Sequence, residues 1–308
     1  MTINIKRNSV LKHFQRYGAL YIMLIIPMAI LVLFKYVPMY GAQIAFRNYR
    51  ITRSIESSPW VGFKYFEKFF DYYGFWPILR NTLTINLYSL LVFPLPLILA
   101  ILLTHLPFKR MVKTVQNVSY IPHFVSTVVL CSMVIQFTNA RTGLINAITA
   151  IFGAEPVNFM AHKEYFYPIY ILSDLWRDLG YNSIIYIAAL TGVSPDLHEA
   201  AIMDGASIIK RVWHIDIPSI MPTFCTLLIM RCGQMLTIGY EKVLLLQNSL
   251  NISVSEVIST YSYNISLNAA SPQFSYAAAI GLFSAVVNLV LLATVNKLIG
   301  RTSGNSLW

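Results

Sequence analysis

The chain has 308 residues, 56% of them apolar and 14% aromatic, with only 12% charged and a formal net charge of +10. A soluble domain carries about 25% charged residues, so a soluble globular enzyme is a poor description and a lipid environment a good one. The basic excess does not indicate nucleic acid, because the Lys and Arg residues are scattered beside apolar runs. Cys131, Cys225 and Cys232 all lie inside such runs, which leaves no loop-placed disulfide framework.

Taken from the N-terminus, Lys6, Arg7, Lys12 and Arg16 occur with no acid among them and alternate with Val10, Leu11 and Phe14. Residues 1–18 are read as a cytoplasmic amphipathic segment. Two readings stay open for it, a helix lying on an anionic leaflet or the positive flank of the first span. No small-residue cleavage site follows, so the first helix is expected to be uncleaved. A spanning helix needs about 20 apolar residues, and six stretches qualify, at about 19–37, 82–104, 116–137, 167–190, 219–239 and 276–299. Pro27, Pro94, Pro96, Pro122 and Pro222 lie in or near them, which membrane helices tolerate when neighbours re-satisfy the backbone. The short segments 105–115 and 191–218 and the two termini are more basic per residue than the long loops 38–81, 138–166 and 240–275. That asymmetry predicts N-in, C-in. Residues 19–308 are therefore expected to form one all-α transmembrane domain.

The 38–81 loop is crowded with rings from Tyr40 to Trp76. They are expected either to form an interfacial belt or to line the mouth of a pathway. Ionisable residues at membrane depth are expensive and face a bundle interior or water. The fourth span carries Asp174, Arg177 and Asp178, with Trp176 and Tyr181 beside them, and the spacing lets Arg177 neutralise an acid locally. The fifth carries Arg231 and Gln234, three apart on one face, with no acid near Arg231 in sequence. These seven residues are the candidates for a substrate pathway. His123 and His162 have no metal-spaced partner, and an enzyme built on them with Asp174 or Asp178 is disfavoured.

Between the fourth and fifth spans lies the most polar stretch of the second half. Gly192 and Pro195 stop the helix, Ser194 and Pro195 start another, and Leu197, Ala200 and Ala201 give it a small-residue face. Glu199 and Asp204 project elsewhere, Gly205 lets the chain turn, and Ile217-Pro218 leads into the next span. The pattern is Glu199-Ala200-Ala201, three residues, Gly205, nine residues, then Ile215-x-Ile217-Pro218. Physically this is a docking surface with an acid available to a basic groove.

That pattern resembles the cytoplasmic coupling loop of bacterial ABC importer permeases, which usually have Leu where Ile217 stands. Tyr36–Phe46, Pro59–Gly62, Asn81–Leu83, Ser119–Phe124, Ile184–Ala189 and Ser306–Trp308 extend the resemblance, specifically to carbohydrate permeases of the maltose-transporter type, LplB-like. The resemblance implies a type I importer permease fold in the bacterial cytoplasmic membrane. It also implies a second homologous permease subunit, two ATPase subunits holding ATP-Mg, an extracytoplasmic solute-binding protein and an oligosaccharide substrate. The coupling role is carried to Glu199 and Gly205, with Ala200, Ala201, Asp204 and Pro218 beside them. The chain has no Gly-x-x-x-x-Gly-Lys-Ser/Thr loop to cradle nucleotide phosphates, so it is expected to be non-catalytic. A secondary transporter, which would need no ATPase, is the rival reading, and the paired broken helices it would favour are not evident.

Overall fold

The computed structural model describes residues 4–304, 306 and 307, with side chains from Arg16 onward apart from Ser303. The amphipathic face expected over residues 5–15 lies outside the described side chains. Among the described residues the chain is helical, with one isolated antiparallel bridge between Arg47 and Trp60.

Helix α1 (Asn4–Leu31) runs through a π turn at Val32–Tyr36 and ends in a 3₁₀ segment, Tyr40–Phe46. Then come α2 (Phe75–Val92), α3 (Leu95–His105), α4 (Lys109–Tyr120), α5 (Thr127–Phe137), α6 (Phe166–Thr191), α7 (Pro195–Met203), α8 (Ile217–Cys232), α9 (Tyr240–Leu246) and α10 (Phe274–Ser303). Among the described residues four helical runs are long and apolar enough to cross a bilayer: Arg16–Phe46, Phe75–His105, Ile208–Cys232 and Phe274–Thr302. Most side chains from Leu20 to Tyr40 are exposed, while Tyr40–Phe46 packs along α10.

The expected straight span at 116–137 is broken. Residues Lys109–Phe124 and Thr127–Phe137 meet at 103°. The cause is local: Pro122 has no N–H to continue the ladder, Ile121–Phe124 tightens to 3₁₀, and Val125 is extended. Ser126 then caps α5 by accepting from the Val129 N–H at 3.3 Å. The fifth expected span, 219–239, is also displaced. Its helical run begins at Ile208 and α8 stops at Cys232. The turns that follow α8 are tied to neighbouring helices, because Asn86 donates to the Met235 carbonyl at 2.9 Å and Asn288 accepts from the Leu236 N–H at 2.9 Å. Side-chain amides thus supply partners that a helix would otherwise provide at membrane depth.

Helix α6 is the axis of the bundle and packs against α2, α3, α4, α5 and α8. It meets α4 at a glycine: a Cβ on Gly180 would sit 2.4 Å from the Ser119 carbonyl oxygen. Small residues let membrane helices approach this closely. Gly180→Ala should therefore push α4 off α6 and cost about 1–3 kcal/mol, seen as a lower midpoint for thermal unfolding in detergent. An unchanged midpoint would mean that the two helices are free to separate.

The aromatic loop is not a belt throughout, and none of its rings lines the cavity between α2, α6, α8 and α9. Phe69 and Phe75 are buried in a core cluster with Tyr261, Tyr276 and Ile280. Phe46 stacks on Trp60 at 5.5 Å near the exposed Phe63.

Candidate functional site

A cavity of about 970 Å³ opens between α2, α6, α8 and α9, within the range of small-molecule sites. Six of the seven predicted pathway residues line it: Asp174, Arg177, Asp178 and Tyr181 on α6, Arg231 on α8, and Gln234 just beyond. Gln234 lies past the end of α8, so it reaches the cavity from a turn rather than from the helix face expected for it. Trp176, exposed, is not among the lining residues.

The acids on α6 are held from several directions. Arg177 grips its sequence neighbour with two parallel bonds, Nε–H to Asp178 Oδ1 at 3.0 Å and Nη2–H to Oδ2 at 2.8 Å, the bidentate form that fixes geometry as well as charge. Its Nη2 also lies 3.5 Å from Asp174. His123, beside the Pro122 break, places Nδ1 2.9 Å from Asp178 Oδ1 and stacks flat on Tyr181 at 3.6 Å. Lys242 on α9 is 5% exposed; its ammonium lies 2.7 Å from Asp174 Oδ1, donates to the Tyr170 carbonyl at 2.7 Å and sits 4.1 Å from the Tyr170 ring centre. Burying that cation requires such partners. Among the described residues Arg231 makes no ion pair, although it lines the same cavity as the acids of α6.

No residue of the predicted docking loop lines this cavity. Pro195 opens α7, and the Ser194 hydroxyl bonds Asp196 at 3.3 Å instead of capping the backbone as expected. Glu199, Ala200 and Asp204 are exposed, Ala201 half-buried. The helix closes through Asp204 and Gly205, with the Ala206 N–H reaching back to the Ala201 carbonyl at 2.8 Å. Gly205 has φ +74° with open space where a Cβ would stand. The glycine requirement there is thus one of backbone conformation, the left-handed end of a helix. Leu197, Ile202, Met203, Ile209 and Trp213 are exposed around it, an apolar patch of the kind that marks an interaction surface. Pro218 is exposed in the first turn of α8.

Residues 77–303, from α2 into α10 and including cavity and loop, match the family described as "Binding-protein-dependent transport system inner membrane component". The chain belongs to this family. The permease is 42% identical to the polygalacturonan/rhamnogalacturonan transport system permease protein YteP of Bacillus subtilis over 91% of its own length and 87% of that protein's. It is 39% identical to the LplB protein of the same organism, over 90% and 87%. Its fold superposes with a TM-score of 0.86 at 35% identity on a crystal structure of a bacterial ABC transporter that imports the acidic polysaccharide alginate, covering 96% of this chain and 99% of the other. That transporter has also been solved with a pentasaccharide-bound periplasmic protein. The permease is thus a multi-pass inner-membrane subunit of an ABC importer with the type I fold that the coupling-loop pattern implied, and the secondary-transporter reading falls.

Two residues of the permease, Lys242 and Asp216, are absent from the sequence expectations, and the pairing of a third, His123, is absent too. Lys242 falls in the long loop expected at 240–275, although a lone lysine before Val-Leu-Leu-Leu is itself a sign of a buried cation. His123 lacked a partner in sequence because Asp178 is 55 positions away. Asp216, flanked by Ile on both sides, is nearly fully buried, and an acid inside an Ile-x-Ile-Pro run was the available signal.

Proposed function

We propose that this permease and a second, homologous permease subunit enclose a pathway for oligosaccharides or polysaccharide fragments, delivered by an extracytoplasmic solute-binding protein. Two ATPase subunits hold ATP-Mg and dock on α7 through Glu199 to Gly205, with Pro218 fixing the exit of the loop, while this chain is non-catalytic. In this reading six spans cross the membrane N-in and C-in, and α6 is the fourth in chain order. It has the length, and its mid-helix charges face the cavity instead of lipid. Residues 1–18 lie on the cytoplasmic face and 19–308 form one domain.

The observation that carries the reading is Arg231, a cavity-lining guanidinium with no ion pair among the described residues, in a chain whose relatives include a polygalacturonan/rhamnogalacturonan permease. A uronate-bearing oligosaccharide is the substrate that supplies its missing carboxylate. Charge-assisted hydrogen bonds contribute about 1.5–3 kcal/mol, so Arg231→Gln should lower ATP-driven uptake of oligogalacturonides into proteoliposomes by roughly 10- to 100-fold and leave neutral oligosaccharides of equal length largely unaffected. Equal loss for both would show that Arg231 is structural. No ATP-dependent uptake of either, with the binding protein present, would remove the carbohydrate assignment.

A further inference from the structure

Three ionisable side chains from three elements meet at the loop-bearing end of the bundle. Asp216 closes a π-helical turn, Val212–Asp216, and is 1% exposed. His105, the last residue of α3, directs Nε2 at its Oδ2 at 2.6 Å. His198, in the middle of α7, places Nε2 3.3 Å from Oδ1. The two imidazoles meet edge to face, 6.0 Å between ring centres. A carboxylate this far from water is costly unless its oxygens are matched, and here each oxygen faces one histidine. The π turn, a device that recurs at functional positions, immediately precedes α8.

The arrangement matters because of how little else holds α7. Of its nine residues only His198 and Ala201 are shielded; the rest are exposed. His198 directly precedes Glu199. At the other ends of the elements that Asp216 joins, α3 contributes Pro96 to the cavity wall and α8 contributes Met230 and Arg231.

We propose that Asp216 is a positioning residue for transport, the joint through which displacement of α7 reaches α3 and α8 and so the cavity. His198 holds the docking helix to it and His105 holds α3, so a movement imposed on α7 is delivered to both cavity-lining helices instead of being absorbed by a loose loop. This rests on the docking of the ATPase subunits on α7 proposed above.

The test uses the reconstituted complex with its binding protein and three readouts: ATPase subunits recovered with the permease, ATP hydrolysis stimulated by loaded binding protein, and oligosaccharide imported per ATP hydrolysed. Asp216→Asn keeps size and removes the charge; His198→Gln removes the link from the other side. Both should retain the ATPase subunits in wild-type amount and import at least fivefold less per ATP. The double variant should be no worse than the single ones, since both changes break one connection. A wild-type import ratio in both variants, with ATPase subunits bound, overturns the joint. A loss confined to the amount of assembled complex, at a normal ratio, makes Asp216 merely structural and overturns it too. Should Asp216→Asn fail to assemble, the half-buried His198→Gln decides alone. Failure of the docking reading is recognised separately, by ATPase subunits that bind and respond normally when Glu199 is replaced.

Discussion

Glu199→Lys should abolish the response of ATP hydrolysis to loaded binding protein and reduce uptake by more than tenfold, with the protein still in the membrane at wild-type level. The asymmetry follows from where Glu199 stands. It is exposed on α7 and forms no hydrogen bond or ion pair among the described residues, so the fold of the subunit does not depend on it. An exposed acid beside an apolar patch of Leu197, Ile202 and Met203 is instead available to a partner's basic groove. Disrupting a charge pair at the centre of an interface costs about 2–5 kcal/mol, and placing a cation opposite a cation adds repulsion. Allosteric coupling between nucleotide and pathway passes through a difference in affinity between states, so a weakened dock uncouples before anything in the membrane unfolds. The measurement is ATPase activity of the reconstituted complex, wild type against variant, with and without sugar-loaded binding protein. Stimulation that survives the charge reversal would mean that the nucleotide-binding partner engages another surface.

The sequence was most legible where one physical requirement dominates. Apolar length located helices at all six expected stretches, and the Pro195 and Gly205 signals located the short helix α7 together with the left-handed turn that ends it. Legibility failed where the answer depends on contacts between distant elements. A membrane helix can tolerate Pro122, but with Val125 extended and Ser126 ready to cap, the chain turns there by 103°. The end of α8 was set late because residues 233–239 are apolar enough to pass for helix, and only the amides of Asn86 and Asn288 reveal the turns they hold. The acids of α6 were recognised as a group, whereas their partners Lys242 and His123 come from elements 68 and 55 positions away. No periodicity carries such a pairing, although the rule that a charge at membrane depth must find a partner did require that some partner exist.

That same rule sets the second large effect, because the Asp174–Lys242 pair is unequal in its surroundings. Lys242 is 5% exposed, whereas about a third of the Asp174 side chain is open to the cavity. Asp174→Ala leaves the ammonium with the Tyr170 carbonyl and ring alone, and with the Arg177 guanidinium as a neighbour of like charge. Removing one partner of a buried pair costs about 3–5 kcal/mol, and this is the side on which that full range applies. Lys242→Met removes the buried charge itself, fills its space with an apolar side chain, and leaves Asp174 in contact with the cavity and 3.5 Å from Arg177. It should be mild. Thermal unfolding of the complex in detergent should therefore rank Asp174→Ala well below Lys242→Met, and the double variant should recover most of the loss, since the stranded cation is gone. Equal losses for the two single variants that simply add in the double would show that the two groups do not depend on each other, and that α9 is held against α6 by apolar packing around Tyr170 and Val243 rather than by the charge.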